Sequence, residues 1–323
     1  MAGKSANGTN GDSVQVVAWW MGHVDTVHSM RLWGVMIVRD AVDLVGVNLR
    51  YHVAAGIERI VVVDNGSTDG TWACLQDLAQ RLPLDIRRDP GPFEQTRLVN
   101  AAIQQAGRGG AEWVIPIDVD EFFMAPRGLA TVLAEIDAPV VEAKVVNFVQ
   151  RRWRRRPTPR ALLTMDHTPE VPVGSVRAAV LLDARRRGLV EIEWEPSVIV
   201  RPSPALEIGR GNHSTTNAGG PTRRTSEIVV LHAPLRAMGV VRKRLDHARR
   251  LDEAGIPAGY GWHLRGMPRQ HRARRTLWRA NSTWRGALSA AGVRRPLMRD
   301  TRLVDAVAPH MPPRWARLRR AGC

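Results

Sequence analysis

The chain has 323 residues, 44% of them hydrophobic, enough to build one large α/β domain or one domain with an appendage. It has no run of 18 apolar residues, which argues against a membrane-spanning helix, and its polar opening "MAGKSANGTNGDS" lacks the apolar stretch of a secretory signal. The formal charge of +16 is lopsided, −6 over residues 1–150 and +22 over 151–323, which admits an anionic membrane surface, nucleic acid or a phosphorylated ligand as partner.

Residues 1–30 show no clear period and are expected to form a flexible extension. "LWGVMIV" (32–38) is a short continuous apolar run, suited to a strand buried on both faces. The next segment, "RDAVDLVGVNLRYHVAAG", spaces Val42, Leu44, Val45, Leu49 and Val53 broadly as a helix does and stops at Gly56. "IERIVVVD" predicts a second buried strand, "NGSTDG" a turn, and "TWACLQDLAQRL" a helix. "PLDIRRD", "FEQTRLVNAAIQQAG" and "EWVIPIDVDEF" then read as strand, helix and strand. This alternation predicts βαβ units and a mostly parallel sheet flanked by helices. Further on, "VVEAKVVNFV", "LVEIEWEPSVIVRP" and "SEIVVLHAPL" have strand character, separated by Arg- and Pro-rich stretches such as "RRWRRRPTPR". From about residue 237 the chain is Arg-rich and predicted helical, in "VVRKRLDHARRLDEAG" and "RQHRARRTLWRANSTWRGAL".

Two places at expected strand ends carry chemistry. In "VVVDNGSTDGT" (61–71), Asp64 and Asn65 are placed to meet a nucleobase edge or a ribose, and Ser67 and Asp69 lie in a turn that brings N–H groups close to a ligand. The bland alternative is an Asx turn capping the next helix. In "WVIPIDVDEFF", strand alternation would put Asp118 and Asp120 on one face and Glu121 on the other. Two hard oxygen donors beside a cleft suit Mg²⁺ or Mn²⁺ carrying substrate phosphates. The alternative is that these acids cap the following segment or pair with arginines. Ligands of open α/β sheets bind beyond the carboxyl ends of the strands, where both motifs fall.

The two motifs together resemble family 2-like glycosyltransferases of the GT-A fold, which are nucleotide-sugar-dependent. Arg39–Asp40 after the first strand, "NLRYHVAAGIERIVVVDNGSTDGT", "PSVIVRP" (196–202), "GNHS" (211–214) and "LHAPLR" (231–236) are similar to one subgroup, over roughly 31–245. The resemblance implies a GT-A, Rossmann-like domain over 31–236, with a nucleotide-sugar half (31–125) and an acceptor half (126–236), and a basic helical region over 237–323. It implies a donor nucleotide held by Arg39, Asp64, Asn65, Ser67, Asp69 and Asp118, and a divalent metal, Mn²⁺ or Mg²⁺, on Asp118 and Asp120. A late histidine, His213 or His232, closes the metal site in some such enzymes. The implied reaction is inverting transfer of a sugar from a nucleotide sugar to an acceptor hydroxyl. Where this chain has Asp64–Asn65, many members have two adjacent acids, which leaves the choice of nucleotide open.

A carboxylate or histidine must take the acceptor proton. The candidates are Asp166 and Glu170 in "TMDHTPE", ahead of Glu193, Glu195 and His213. Arg201 and Arg236 are candidates for the diphosphate. Trp278, Trp284 and Trp315, interleaved with arginines, suit an anionic membrane surface, nucleic acid by stacking, or a solvated, partly packed helical appendage. Cys74 and Cys323 are too few for a disulfide framework, so the expected setting is cytoplasmic, with a peripheral place at the inner membrane face. The acceptor is open among polysaccharide, lipid, protein and small molecule. Two rivals differ in class. A nucleotidyltransferase usually has a Gly-rich basic loop after the first strand, where this chain reads "VRDAVDL". A nucleic-acid-binding protein fits the charge but leaves the strand-end acids unexplained, and nucleic acid is not the expected partner.

Overall fold

In the computed structural model, the apolar run Leu32–Val38 (β1) forms the middle of a sheet, as a strand without a polar face must. The structure describes residues 30–312 except 92–93, 153, 171–172, 176–189, 191, 254, 256–277, 279–281, 283–286 and 291–292. The extension expected over 1–30 lies, but for its last residue, outside these, as do Trp284 and Trp315.

After β1 come α1 (Val45–Ala54), β2 (Arg59–Asp64), α2 (Thr71–Leu78), β3 (Leu84–Arg88), α3 (Gln95–Arg108) and β4 (Trp113–Pro116). The expected βαβ order is therefore present through the first four strands. The sheet is completed by β5 (Glu121–Met124), β6 (Val140–Asn147), β7 (Ser197–Val200) and β8 (Thr222–His232), with a short helix α4 (Leu129–Ala134) between β5 and β6. Strand order is β3-β2-β1-β4-β7-β6-β8-β5. Pairing is parallel between β1 and β2, β1 and β4, β2 and β3, and β6 and β8. β7 runs antiparallel between β4 and β6, and β5 antiparallel to β8. This is a mixed, mostly parallel sheet flanked by helices.

Each face is covered by an apolar helix. On one, Leu98, Val99, Ala102, Ile103 and Ala106 of α3 pack on Trp33, Val35, Val61, Val63 and Val114. On the other, Leu44, Val47 and Tyr51 pack with Phe122, Phe148, Leu162 and Leu231. The register brings the strand ends level: Val38 lies opposite Asp64, and Ile117 N–H bonds Val35 O at 2.8 Å. On the far side, His232 of β8 stands between Glu121 of β5 and Asn147 of β6.

Beyond residue 237 the expectation of a helical region holds for α5 (Met238–Glu253) and α6 (Arg302–Val307). It does not hold at 287–299, where Ala287–Ala290 and Val293–Arg299 pair as antiparallel strands, and the helix expected over 269–288 lies almost wholly outside the described residues. Pro296, which a helix interior does not tolerate, stands in the second of these strands. α6 returns to the body, where Leu303 and Val307 are buried in the α1 cluster. Trp278 is also buried, so its ring is not offered to a membrane. Among the described residues no helix is long and apolar enough to cross one.

Candidate functional site

The first half of the site is the loop after β2, most of whose polar groups are paired within the chain. Asp64 is fully buried; its Oδ1 accepts from Ser67 N–H at 2.9 Å and Arg88 Nε at 3.3 Å, while its Oδ2 has no partner. The Asn65 amide, also buried, donates to the carbonyls of Asp89 (2.8 Å) and Gly91 (3.1 Å) and accepts from Arg39 Nη1 at 3.4 Å. Asn65 thus pins the segment after β3 against the end of β2. Ser67 Oγ accepts from Asp40 N–H at 2.9 Å, and Asp40 Oδ1 accepts from Thr68 N–H at 2.7 Å. Asp40 takes a left-handed φ of 50°, a conformation that Asp tolerates better than most residues, so the two loops lock together. Asp69 accepts from Thr71 N–H and Oγ, and from Lys243 Nζ at 2.9 Å. Burial works against its charge, but the bonds from Thr71 and Lys243 prevail and hold it below the usual carboxylate value.

The acid cluster is arranged differently from the alternation expected of a strand. β4 ends at Pro116, and Glu121 N–H bonds Asp118 O at 2.9 Å, so Asp118–Glu121 is a tight turn. Period-two geometry does not apply within a turn, and Glu121 does not point away. It is buried, its oxygens lie 3.4 and 3.5 Å from Ser197 Oγ, and it shares the field of its neighbours. Burial, then Asp118, then Asp120 push its carboxyl well above the usual range. Burial and then Asp120 likewise push Asp118 up to about 7. Burial would also raise Asp120, but His232, Arg244 and Arg236 outweigh it and hold that carboxyl well below its ordinary value. Arg244 Nη2 donates to Asp120 Oδ2 at 3.0 Å.

Both expected histidines reach this region with one ring nitrogen committed. His232 Nδ1 lies 2.8 Å from Asn147 Oδ1, and its Nε2 faces Asp120 Oδ2 at 3.8 Å. His213 Nδ1 donates to Pro196 O at 3.2 Å, which leaves its Nε2 free of the proton. Burial and the nearby His232 act against its charged form.

The turn is held from behind by residues that the sequence reading did not single out. Asn48 Nδ2 donates to the carbonyls of Val119 (3.1 Å) and Glu121 (2.7 Å). One turn on, His52 bonds Asn48 O and Oδ1 through Nδ1 and accepts from Phe123 N–H at 3.2 Å through Nε2. Both side chains are fully buried, and burial brings the imidazole down to about 3, so it is neutral. The visible signal was two polar residues four apart on the apolar face of a helix.

The other expected residues are dispersed. Asp166 is held by Arg151 Nη2 (2.8 Å) and His167 Nδ1 (2.9 Å), and Glu170 is exposed. Arg236 makes a buried pair with Asp43 at 2.7 Å, and Arg201 covers the Trp113 ring at 4.4 Å.

Among the described residues no group of three His, Cys, Asp or Glu is arranged to hold a metal ion. The donor chemistry nonetheless fits one. Asp118, Asp120 and Glu121 are hard oxygen donors within four residues, and burial, then the neighbouring carboxylates, raise Asp118 and Glu121, a penalty that a bound cation would relieve. His232 Nε2 adds a ligand that suits Mn²⁺.

The Glycosyl transferase family 2 model matches residues 53–188, less than half of the chain but including both the Asp64 loop and the acid turn. Over those residues the chain is similar to family 2 glycosyltransferases. A glycosyltransferase family 92 protein of Ricinus communis is 35% identical over 82 residues, 24% of this chain and only 14% of that relative's length. Among solved structures, S. aureus TarS 1-349 shares 15% identity over 73% of this chain and 69% of its own, with a TM-score of 0.39. The same protein in complex with UDP-GlcNAc shares 13% over 77% and 78%, with a TM-score of 0.41. HddC from Yersinia pseudotuberculosis shares 12% over 65% and 96%, with a TM-score of 0.34.

Proposed function

We propose that the protein transfers a sugar from a nucleotide sugar to an acceptor hydroxyl, with inversion and with a divalent metal. The observation that carries this reading is the three-carboxylate turn Asp118–Glu121, placed beside the Asp64 loop at the carboxyl ends of β2 and β4. An isolated protein gains no stability from crowding these acids, whereas a site for a cation and phosphates needs them.

In this reading Asp64, with its unpartnered Oδ2, meets the nucleoside, while Asn65, Ser67, Asp69 and Arg39 hold the loop that shapes the pocket. Asp118, Asp120 and His232 hold Mn²⁺ or Mg²⁺, which supplies positive charge against the departing diphosphate. Arg244, now on Asp120, is the nearest protein cation able to turn to the phosphates once Asp120 has another partner. Asn147 Oδ1 accepts from His232 Nδ1 when Nε2 is the metal ligand. Asp166 is the proposed base; Arg151 and His167 now hold its carboxylate and must release it before it takes the acceptor proton, and Glu170 is exposed. Direct displacement by the acceptor inverts the anomeric centre, with no nucleophile lent by the protein.

Asp120→Ala tests this. Turnover of the nucleotide sugar should fall by at least about 10³-fold while the circular dichroism spectrum is retained. Transfer at the wild-type rate would remove Asp120 from the reaction and with it the proposed metal role.

A further inference from the structure

The "GNHS" segment contains a buried acceptor that neither the fold nor the acid turn explains. Gly211 and Asn212 take left-handed φ angles of 68° and 61° in succession. At Gly211 a Cβ would come within 2.8 Å of the His213 ring, so glycine is required. At Asn212 the left-handed backbone turns the side chain inward, to 3% exposure, where Nδ2 donates to Asp118 Oδ1 at 3.1 Å. The amide oxygen beside it is buried and has no hydrogen-bond partner. A disfavoured backbone and an orphaned buried acceptor both work against folding; the bond to Asp118 accounts for the amide nitrogen and leaves the oxygen without a role within the chain.

We propose that Asn212 determines donor specificity, its Oδ1 accepting a hydrogen bond from a hydroxyl of the transferred sugar beside Asp118. This rests on the glycosyltransferase reading. The chemistry narrows the ligand group. An amide oxygen only accepts, so the ligand must donate, which excludes a diphosphate oxygen. A nucleobase also donates, but the nucleoside is assigned to Asp64, on the other side of the acid turn in sequence and in the sheet order. Asn212 comes instead from the segment after β7, next to His213, and bonds Asp118 of the acid turn directly. A sugar hydroxyl can donate to Oδ1 while its own oxygen accepts from a neighbouring donor. Rejection of sugars lacking a bonded hydroxyl is the strong form of discrimination, because the site's acceptor is then left buried and unpaired.

The test uses Asn212→Gly, which keeps the left-handed backbone and removes only the amide. The ligands are the nucleotide sugar that most stabilises the wild type in a UDP-, GDP-, dTDP- and CDP-sugar panel, its monodeoxy-sugar analogues, and the free nucleoside diphosphate. Wild type should bind one deoxy analogue about 10- to 100-fold more weakly than the parent. The variant should bind the parent that much more weakly, show no further loss with that analogue, and bind the free nucleoside diphosphate as wild type does. Three results would overturn the assignment: equal discrimination by variant and wild type, equal weakening of the free nucleoside diphosphate, or a shifted Mn²⁺ half-saturation with sugar discrimination intact. A wild type that binds nucleoside diphosphate but no nucleotide sugar would defeat the glycosyltransferase reading itself, and this assignment with it.

Discussion

The two loops that meet at the strand ends are built on opposite electrostatic principles. Around Asp64–Asp69 most polar groups have a partner in the chain: Asn65 is spent on Asp89, Gly91 and Arg39, and Asp69 on Thr71 and Lys243. Around Asp118–Glu121 three carboxylates crowd into four residues, with Arg244 and His232 serving one of them. The first loop is a frame held mostly by bonds within the chain, with Asp64 Oδ2 left open. The second is charge-frustrated, with Asp118 and Glu121 outside any ion pair among the described residues, and the proposed cation would relieve it. In the proposed reading, rigidity and unmet charge are separate requirements of the site and reside in separate loops.

The sharpest way to break this comparison is to unseat the crowded turn from its support. Asn48→Leu removes both bonds to the Val119 and Glu121 carbonyls and should destabilise the protein by about 2–4 kcal/mol in urea unfolding. A loss below about 0.5 kcal/mol would mean that the turn stands by itself.

A second effect comes from His52, whose folded-state value of about 3 lies below the unfolded 6.5. A histidine held neutral contributes stability that is complete above the unfolded value and lost as pH falls through the interval between the two. Between pH 7 and 5, wild type should therefore lose about 2 kcal/mol more than His52→Gln. Parallel pH profiles would contradict the neutral imidazole.

Smaller, but diagnostic in sign, is the same carboxylate-to-amide change made in each loop. Glu121 is raised, so its ionisation opposes folding at neutral pH, and Glu121→Gln should stabilise the metal-free protein by about 1 kcal/mol. Asp69 is lowered, so its charge supports folding there, and Asp69→Asn should cost about 1 kcal/mol. Equal signs would erase the distinction between frame and frustrated turn.

What could be read from the sequence follows the range of the interactions. Strands Leu32–Val38 and Arg59–Asp64, buried on both faces, announce themselves as unbroken apolar runs, and the helices between them by their spacing. Asp118 and Asp120 were legible as a pair because they follow such a run. Glu121 was misplaced because one short-range bond, Glu121 N–H to Asp118 O, replaces strand geometry with a turn. Asn48 and His52 stayed hidden because their partners are carbonyl and N–H groups some 70 residues away, which carry no side-chain signature. The strand pairing over 287–299 was obscured by the arginines of the C-terminal region, though Pro296 argued against a helix there.

The central claim is that the acid turn is completed by a cation carrying a nucleotide diphosphate. A thermal-shift panel of UDP-, GDP-, dTDP- and CDP-sugars, each with and without Mn²⁺, tests it most directly. The account predicts that one nucleotide sugar raises Tm strongly with Mn²⁺ and weakly without it, and that Asp120→Ala loses the difference. Stabilisation by DNA or RNA alone, with no response to any nucleotide sugar, would contradict it.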